Sequence, residues 1–447
     1  MQIKASYRDI WGLSSPLMIA GVSDTIFMVT DTIFLGKVGM VELGAIAIAD
    51  AIYVVFMTAC SGISEGIEII VSRNVGEADY VTAGRVFNQG LLIMAGLGCA
   101  LFVLLNLATP PLIRVMITSE QIRQAVWDFL AIMSFGCIVE ALILNFDGFY
   151  VGVSKTNVLM VSTLLMISIN IALDYVLIFG NFGAPEMGIA GAALASVIAA
   201  IGGLVFLTVY ARMDRQLKQF QLFSINKWSR RLFRRCLKIS TPMMFQSLLV
   251  TASLFLLFII IEQLGEYELA ISNIVYNCFV TLLIPIDGLA DAANAMASNL
   301  IGQGKSGEID RLARKSISLG YMLVLPFILL ALVFPGEIIR IFTPETELVS
   351  DAIGCLFVLI FTVLIVLPGG IYLSLVSGTG DTRACFIIQA LQSICLLTVA
   401  WLAAFKFALP LEWIWSAEAI SWLVAFGSAY AWLKSGKWVH FYQPDKY

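Results

Sequence analysis

Charge is scarce in this chain. Aspartate, glutamate, lysine and arginine make up 13% of its 447 residues, about half the share found in soluble domains. That is too little to cover a globule of this size. Histidine is nearly missing, and the single copy, His440, stands close to the C-terminus. This excludes zinc hydrolases and Ser-His-Asp catalysis, which need histidine in the core. The eight cysteines contain no CxxC pair and sit mostly in apolar runs, so they read as small buried hydrophobes. No GxxxxGK[ST] loop occurs, so ATP is not the direct energy source. Gly62-Ile-Ser-Glu-Gly66 spells a nucleophile elbow, yet has no strand before it and no core histidine to serve it. A net charge of −4 offers no basic field for nucleic acid. The expectation is a protein that is not an enzyme, with no catalytic residue, no cofactor and no nucleic-acid partner.

What is abundant is apolar sequence, 60% of the chain. A helix needs roughly 20 apolar residues to cross the hydrocarbon core. Twelve stretches qualify: 11–36, 44–71, 86–108, 125–150, 156–179, 188–211, 239–263, 268–297, 316–334, 350–376, 384–406 and 411–433. The first is too long for a signal peptide and lacks a small-residue cleavage site. The runs are too long and uniform for barrel strands. The fold class is therefore an all-α polytopic membrane protein. With the N-terminus in the cytoplasm, only Lys37, Arg114, Arg123, Arg340 and Lys406 fall outside, leaving 22 of the 27 basic residues inside. This is a strong positive-inside bias, and it puts both termini in the cytoplasm. The basic stretch 212–238 contains RRLFRRCLK, which reads as a topology anchor between two bundles or as an amphipathic helix on anionic lipid.

The two halves resemble each other at a constant offset of 226. Ser15-Pro16 matches Thr241-Pro242, Gly39 and Glu42 match Gly265 and Glu268, Gly76 matches Gly302, and Arg114 matches Arg340. Each repeat holds six spans, an even number, so the repeats are parallel and surround a central cavity. The expected organisation is an N-terminal six-helix bundle (1–211), a basic cytoplasmic linker (212–238), a C-terminal six-helix bundle (239–434) and a cytoplasmic tail (435–447).

An ionisable side chain at the bilayer centre costs about 2.5–3.5 kcal/mol on insertion scales, and the repeat supplies an internal control. A polar residue kept in both halves is a candidate structural feature, and one found in a single half is a candidate for coupling. Asp31 corresponds to Leu257, Asn170 and Asp174 to Leu396 and Ala400, and Ser196 to Trp422. Asn170 and Asp174 are four apart and share a helix face. Two carboxyls facing one another in low dielectric cannot both stay ionised cheaply, so this set reads as a proton switch. The same oxygens of Asp31, Asn170 and Asp174 suit a sodium ion, and a static hydrogen-bond cluster is the plainer alternative. Asp24, Glu140, Asn145 and Asp147 also lack polar counterparts and are candidates for a cavity that attracts cations.

Val29-Thr30-Asp31-Thr32 in the first span, Ser72-Arg-Asn-Val-Gly76 after the second, Asn170-Ile-Ala-Leu-Asp174 in the fifth and Gly188-Ile-Ala-Gly-Ala-Ala-Leu-Ala-Ser196 in the sixth resemble the MATE (multidrug and toxic compound extrusion) transporters over essentially the whole chain. The resemblance implies secondary efflux of cationic or amphipathic drugs in exchange for H⁺ or Na⁺, in a bacterial inner membrane. One group of the family carries acids on the seventh and tenth spans, which this chain lacks. It is more similar to the DNA-damage-inducible type, and by that resemblance Asp31, Asn170 and Asp174 form the ion site. Ser196 stands where that type has threonine. Pro16 matches a first-span proline that lets the helix bend, although its repeat partner Pro242 points to a structural role. A monomer is expected, with membrane lipid and small-molecule drugs as partners. The alternative of a lipid or lipid-linked-sugar flippase asks for mid-span Lys or Arg, and there are none.

Overall fold

A computed structural model describes residues 3–224, 229–343 and 345–440. Residues 225–228 of the expected linker and 441–447 of the expected tail lie outside the described residues. Thirteen α-helices and no strand occur among the described residues: α1 (Tyr7–Val38), α2 (Met40–Gly76), α3 (Tyr80–Met116), α4 (Glu120–Gly152), α5 (Thr156–Leu177), α6 (Ile189–Met213), α7 (Arg230–Glu262), α8 (Glu266–Gly302), α9 (Ile309–Val333), the short α10 (Pro335–Arg340), α11 (Thr346–Gly378), α12 (Thr382–Trp401) and α13 (Leu411–Lys434). Eleven helical segments are long and apolar enough to cross a membrane. The twelfth expected span, α13, has 24 residues and is not among those eleven. The chain is an all-α polytopic membrane protein.

Most helices overrun the apolar stretches that announce them. The clearest case is α7, which opens at Arg230, so RRLFRRCLK is its first turns. Arginine and lysine are good helix formers, and a hydropathy count stops at charge where the backbone does not. In these turns Leu232 and Cys236 are buried.

The chain divides into two compact units. The first holds Ile19–Met244, and the second holds the residues from Phe245 onward together with those up to Met18. Both α1 and α7 therefore change unit partway along, two residues after Pro16 and Pro242. Within the first unit, the opening half of α7 lies against α2 so closely that a Cβ on Gly62 would come within 2.5 Å of the Met244 backbone, and one on Gly66 within 2.6 Å of Ser240 Cα. Within the second unit, Gly288 takes the opening half of α1 in the same way, with the backbone nitrogen of Met18 at 3.1 Å from such a Cβ. Gly62 and Gly288 are 226 apart, as are Met18 and Met244. The elbow-like GISEG sequence is thus a small-residue packing face of the kind membrane helices use.

The repeat is also written in the backbone. Ala78 (φ 61°) and Gly304 (φ 73°) are left-handed at matching positions, as are Ser154 (φ 63°) and Gly380 (φ 85°). Left-handed backbone costs an L-residue roughly 1–2 kcal/mol, so the turns that end the second and fourth spans demand it. The same hydrogen bond closes the first of these turns in both halves, Asp79 N to Asn74 O and Lys305 N to Leu300 O, each 2.8 Å.

Candidate functional site

The first unit brings Asp31 of α1, Asn170 and Asp174 of α5 and Ser196 of α6 together. Their spacing along α5 turns Asn170 and Asp174 inward, and both are fully buried. Asp31 is 6% exposed and Ser196 is 9% exposed. The Asp31 and Asp174 carboxyls lie within hydrogen-bonding reach of one another. Asn170 Nδ2 donates to Ser196 Oγ at 3.3 Å, and Ser196 Oγ donates to the Ala192 carbonyl at 3.0 Å. Phe34 and Phe179 pack edge to face at 5.7 Å between centroids, one turn beyond Asp31 and just past Asp174.

The accounting of donors is incomplete. Asp31 Oδ1, Asn170 Oδ1 and both carboxylate oxygens of Asp174 are buried without a hydrogen-bond donor. An unsatisfied buried charged acceptor costs more than the 1–3 kcal/mol of a neutral one. One proton between the two acids turns a repulsive contact into a hydrogen bond. An oxygen-seeking cation among these atoms meets the same need. Among the described residues no cluster of three histidine, cysteine or acidic side chains suits a metal, so any cation here would use the amide and hydroxyl as well.

A second group surrounds Asp24, which is exposed on α1 and lies within electrostatic reach of Glu140 and Asp147 on α4. Tyr53 Oη donates to Glu140 Oε2 at 2.9 Å. Asn145 is elsewhere: fully buried, it donates to the Phe87 carbonyl at 3.3 Å and fills the space a Cβ on Gly90 would take. It joins α3 to α4. Pro16 lies inside α1 without ending it.

Two residues of this region escape the sequence reading. Asp50 of α2 is within electrostatic reach of Asp31, and Tyr53 holds Glu140. Their repeat partners are Tyr276 and Phe279, so the comparison of halves, carried along α2, would have marked both.

In the second unit the matching positions are apolar. Leu257, Leu396 and Ala400 belong to the buried core cluster, with Trp422 packed on it. One acid does stand nearby. Glu418 of α13 is half-buried, and its Oε1 accepts from Trp422 Nε1 at 3.0 Å.

Twelve long helices in two repeats, with an acid pair buried in one of them, define a membrane transporter. The family model described as MatE matches residues 16–176 and again 242–402, two segments separated by the repeat offset, and the chain belongs to that family of multidrug efflux transporters, which is not a family of enzymes. It is 26% identical over 415 residues to the probable multidrug resistance protein NorM of Rhizobium meliloti, covering 91% of this chain and 87% of that protein. It is 24% identical over 441 residues to the NorM protein of Pseudomonas aeruginosa, covering 96% and 88%. Among solved structures, an outward-facing multidrug resistance MATE family transporter of the MOP superfamily superposes with a TM-score of 0.89 at 19% identity, over 96% of this chain and 95% of the other. A MOP superfamily transporter from Pyrococcus furiosus, described as having a binding pocket of reversed polarity, gives 0.90 at 18% identity, over 97% and 96%.

Proposed function

We propose that the chain exports cationic, amphipathic compounds in exchange for protons, with the Asp31–Asp174 pair as the protonation switch. The observation that carries this reading is the set of buried carboxylate oxygens with no donor. A proton supplies the missing donor, and Asn170 and Ser196 can hydrogen-bond the pair in either state. An antiporter works when ion and drug favour different conformations or compete for one, because a ligand with equal affinity for both shifts nothing. Losing the proton leaves two charges in a dry site, a large bias to place on a conformational equilibrium. Asp24, Glu140 and Asp147 supply a negative field that favours positively charged drugs, and no mid-span Lys or Arg opposes it. Pro16 removes one helix hydrogen bond where α1 passes between units, a place for the helix to bend. The charge bias supports a multi-pass protein of the bacterial inner membrane with both termini in the cytoplasm. One chain carries both repeats, so a monomer suffices.

The test is transport of ethidium in proteoliposomes with pH and sodium gradients imposed separately. The expected result is movement driven by the pH gradient alone. Movement driven by sodium at clamped pH would assign Asp31, Asn170 and Asp174 to sodium. Preferential export of phosphate-bearing lipid over cationic dye would overturn the substrate class.

A further inference from the structure

The second unit carries an acid that the ion site does not use. Glu418 sits on α13, one turn from Trp422, and no ion pair involving it forms among the described residues. Its repeat partner is Ala192, so the scaffold does not require an acid there. On α13, the twelfth span expected from the sequence, a carboxyl is a functional candidate, given what it costs to insert.

Its surroundings are aromatic. Tyr276 of α8 is within electrostatic reach of Glu418. Phe258 meets Tyr276 edge to face at 5.4 Å, and Tyr276 stacks on Trp415 at 6.3 Å. Trp415 is anchored by its own bond, Nε1 to Ser272 Oγ at 3.1 Å. Trp422 is seated against Gly369 of α11, where an added Cβ would lie 2.9 Å from Cε3 of the indole. The corresponding residues of the first half are Ile143 for Gly369 and Ser196 for Trp422. Bulk has moved from one helix to the other between repeats. Tyr276 replaces Asp50 in the same comparison. Two polar positions of the first half's cluster, Asp50 and Ser196, are thus aromatic in the second, as Tyr276 and Trp422, beside a carboxylate with no cationic partner.

We infer that Glu418, with Tyr276, Trp422 and Phe258, forms a binding subsite for organic cations in the second unit, distinct from the ion-coupling residues of the first. Aromatic faces attract alkylated or delocalised cations through the ring quadrupole, and Glu418 supplies the counter-charge. A hard cation is not served, because calcium- or magnesium-like ions need several oxygens and this set offers one carboxylate. The inference rests on the drug-export reading above and names where that drug is held. It divides the work, with the proton in one repeat and the organic cation in the other.

The test is ethidium binding to the purified full-length protein in detergent at neutral pH, followed by anisotropy. Glu418→Gln keeps an acceptor for Trp422 while removing the charge, and should weaken binding about tenfold or more. Tyr276→Leu and Trp422→Leu should each weaken it about threefold, the exposed-site worth of one cation–π face. Asp31→Asn is run in parallel. Binding lost in Asp31→Asn and kept in Glu418→Gln would overturn the subsite and leave the export reading intact. A wild-type protein that binds no ethidium would overturn the subsite, and the transport assay then judges export separately. Should Glu418→Gln fail to fold, photolabelling of the wild type with azido-ethidium decides. Label on 258–276 or 411–434 supports the subsite, and label confined to 19–213 overturns it.

Discussion

In the first unit, positions 31, 50, 174 and 196 carry three carboxyls and a hydroxyl. Their counterparts 226 residues on are Leu257, Tyr276, Ala400 and Trp422, with Leu257 1% exposed and Ala400 fully buried. The left-handed turns and the closely packed glycines are shared, so the backbone is indifferent to what occupies these positions. The comparison shows that the acids are no requirement of the fold. An apolar filling works equally well as structure, and their cost in the first unit must be offset by what they do.

The strongest way to break this contrast is to erase the acids. Asp31→Asn and Asp174→Asn should each reduce gradient-driven efflux of ethidium from energised vesicles to background. Asparagine has nearly the shape of aspartic acid but exchanges no proton. Thermal midpoints should be unchanged or higher, since a buried repulsion is removed. Near wild-type transport in both variants would make the pair structural.

The converse change writes an acid into the second unit. Leu257→Asp should fail to rescue Asp31→Asn, because Leu396 and Ala400 offer it no partner. It should also destabilise the protein by about 2.5–3.5 kcal/mol, the insertion cost of an unpaired acid. Denaturant titration in detergent reads the loss. A stable Leu257→Asp protein would mean that the second unit tolerates charge at this position.

Sequence revealed the central four residues because the chain contains its own control. Asp31 against Leu257 and Ser196 against Trp422 are visible without coordinates. Asp50, Tyr53 and Glu418 differ from their counterparts Tyr276, Phe279 and Ala192 in the same way, but what each of them faces across helices is disclosed by no spacing along one helix. The opening of α7 reads in sequence as a topology anchor or a separate amphipathic helix, because the hydropathy of the span stops at Arg230–Lys238, whereas the helix continues through it. The change of unit within α1 and α7 was hidden too, since it depends on contacts such as Gly288 with Met18. The prolines that mark it were legible only as matched letters, and Gly62 with Gly288 stood out only through their contacts.

A smaller difference concerns how each fifth span begins. At α12, Asp381 caps the helix by accepting from Ala384 N at 3.1 Å. Its counterpart at α5 is Lys155, which makes no such cap and instead pairs with Asp214 just beyond α6. Partial burial pushes the Asp214 carboxyl up, but the Lys155 ammonium and the Gln216 N–H outweigh it and hold it below the usual aspartate value. A depressed carboxyl contributes stability above its unfolded pKa, about 3.9, and loses that contribution as pH falls through its folded value. Lys155→Gln should therefore cost about 0.5–1 kcal/mol at neutral pH. The difference from wild type should shrink below the ordinary aspartate range, as followed by thermal unfolding at several pH values. A pH-independent difference would assign the loss to packing.

The crossing of α1 between units has a consequence for synthesis. Ile3 N donates to Asn299 Oδ1 at 3.4 Å, Gln303 Nε2 donates to the Ile3 carbonyl at 2.9 Å, and Lys315 Nζ donates to the Ala5 carbonyl at 2.8 Å. Residues 3–5 thus find these partners only after some three hundred further residues have been made, roughly 15–60 s later at ordinary elongation rates. Meanwhile the first unit waits for Ser240 and Met244 to reach Gly66 and Gly62. The second unit cannot close until the residues up to Met18, made before the whole of the first unit, join it. Whatever chaperone or insertase attends the nascent protein must leave residues 3–5 free to pair with the end of α8 and with α9 once these are made.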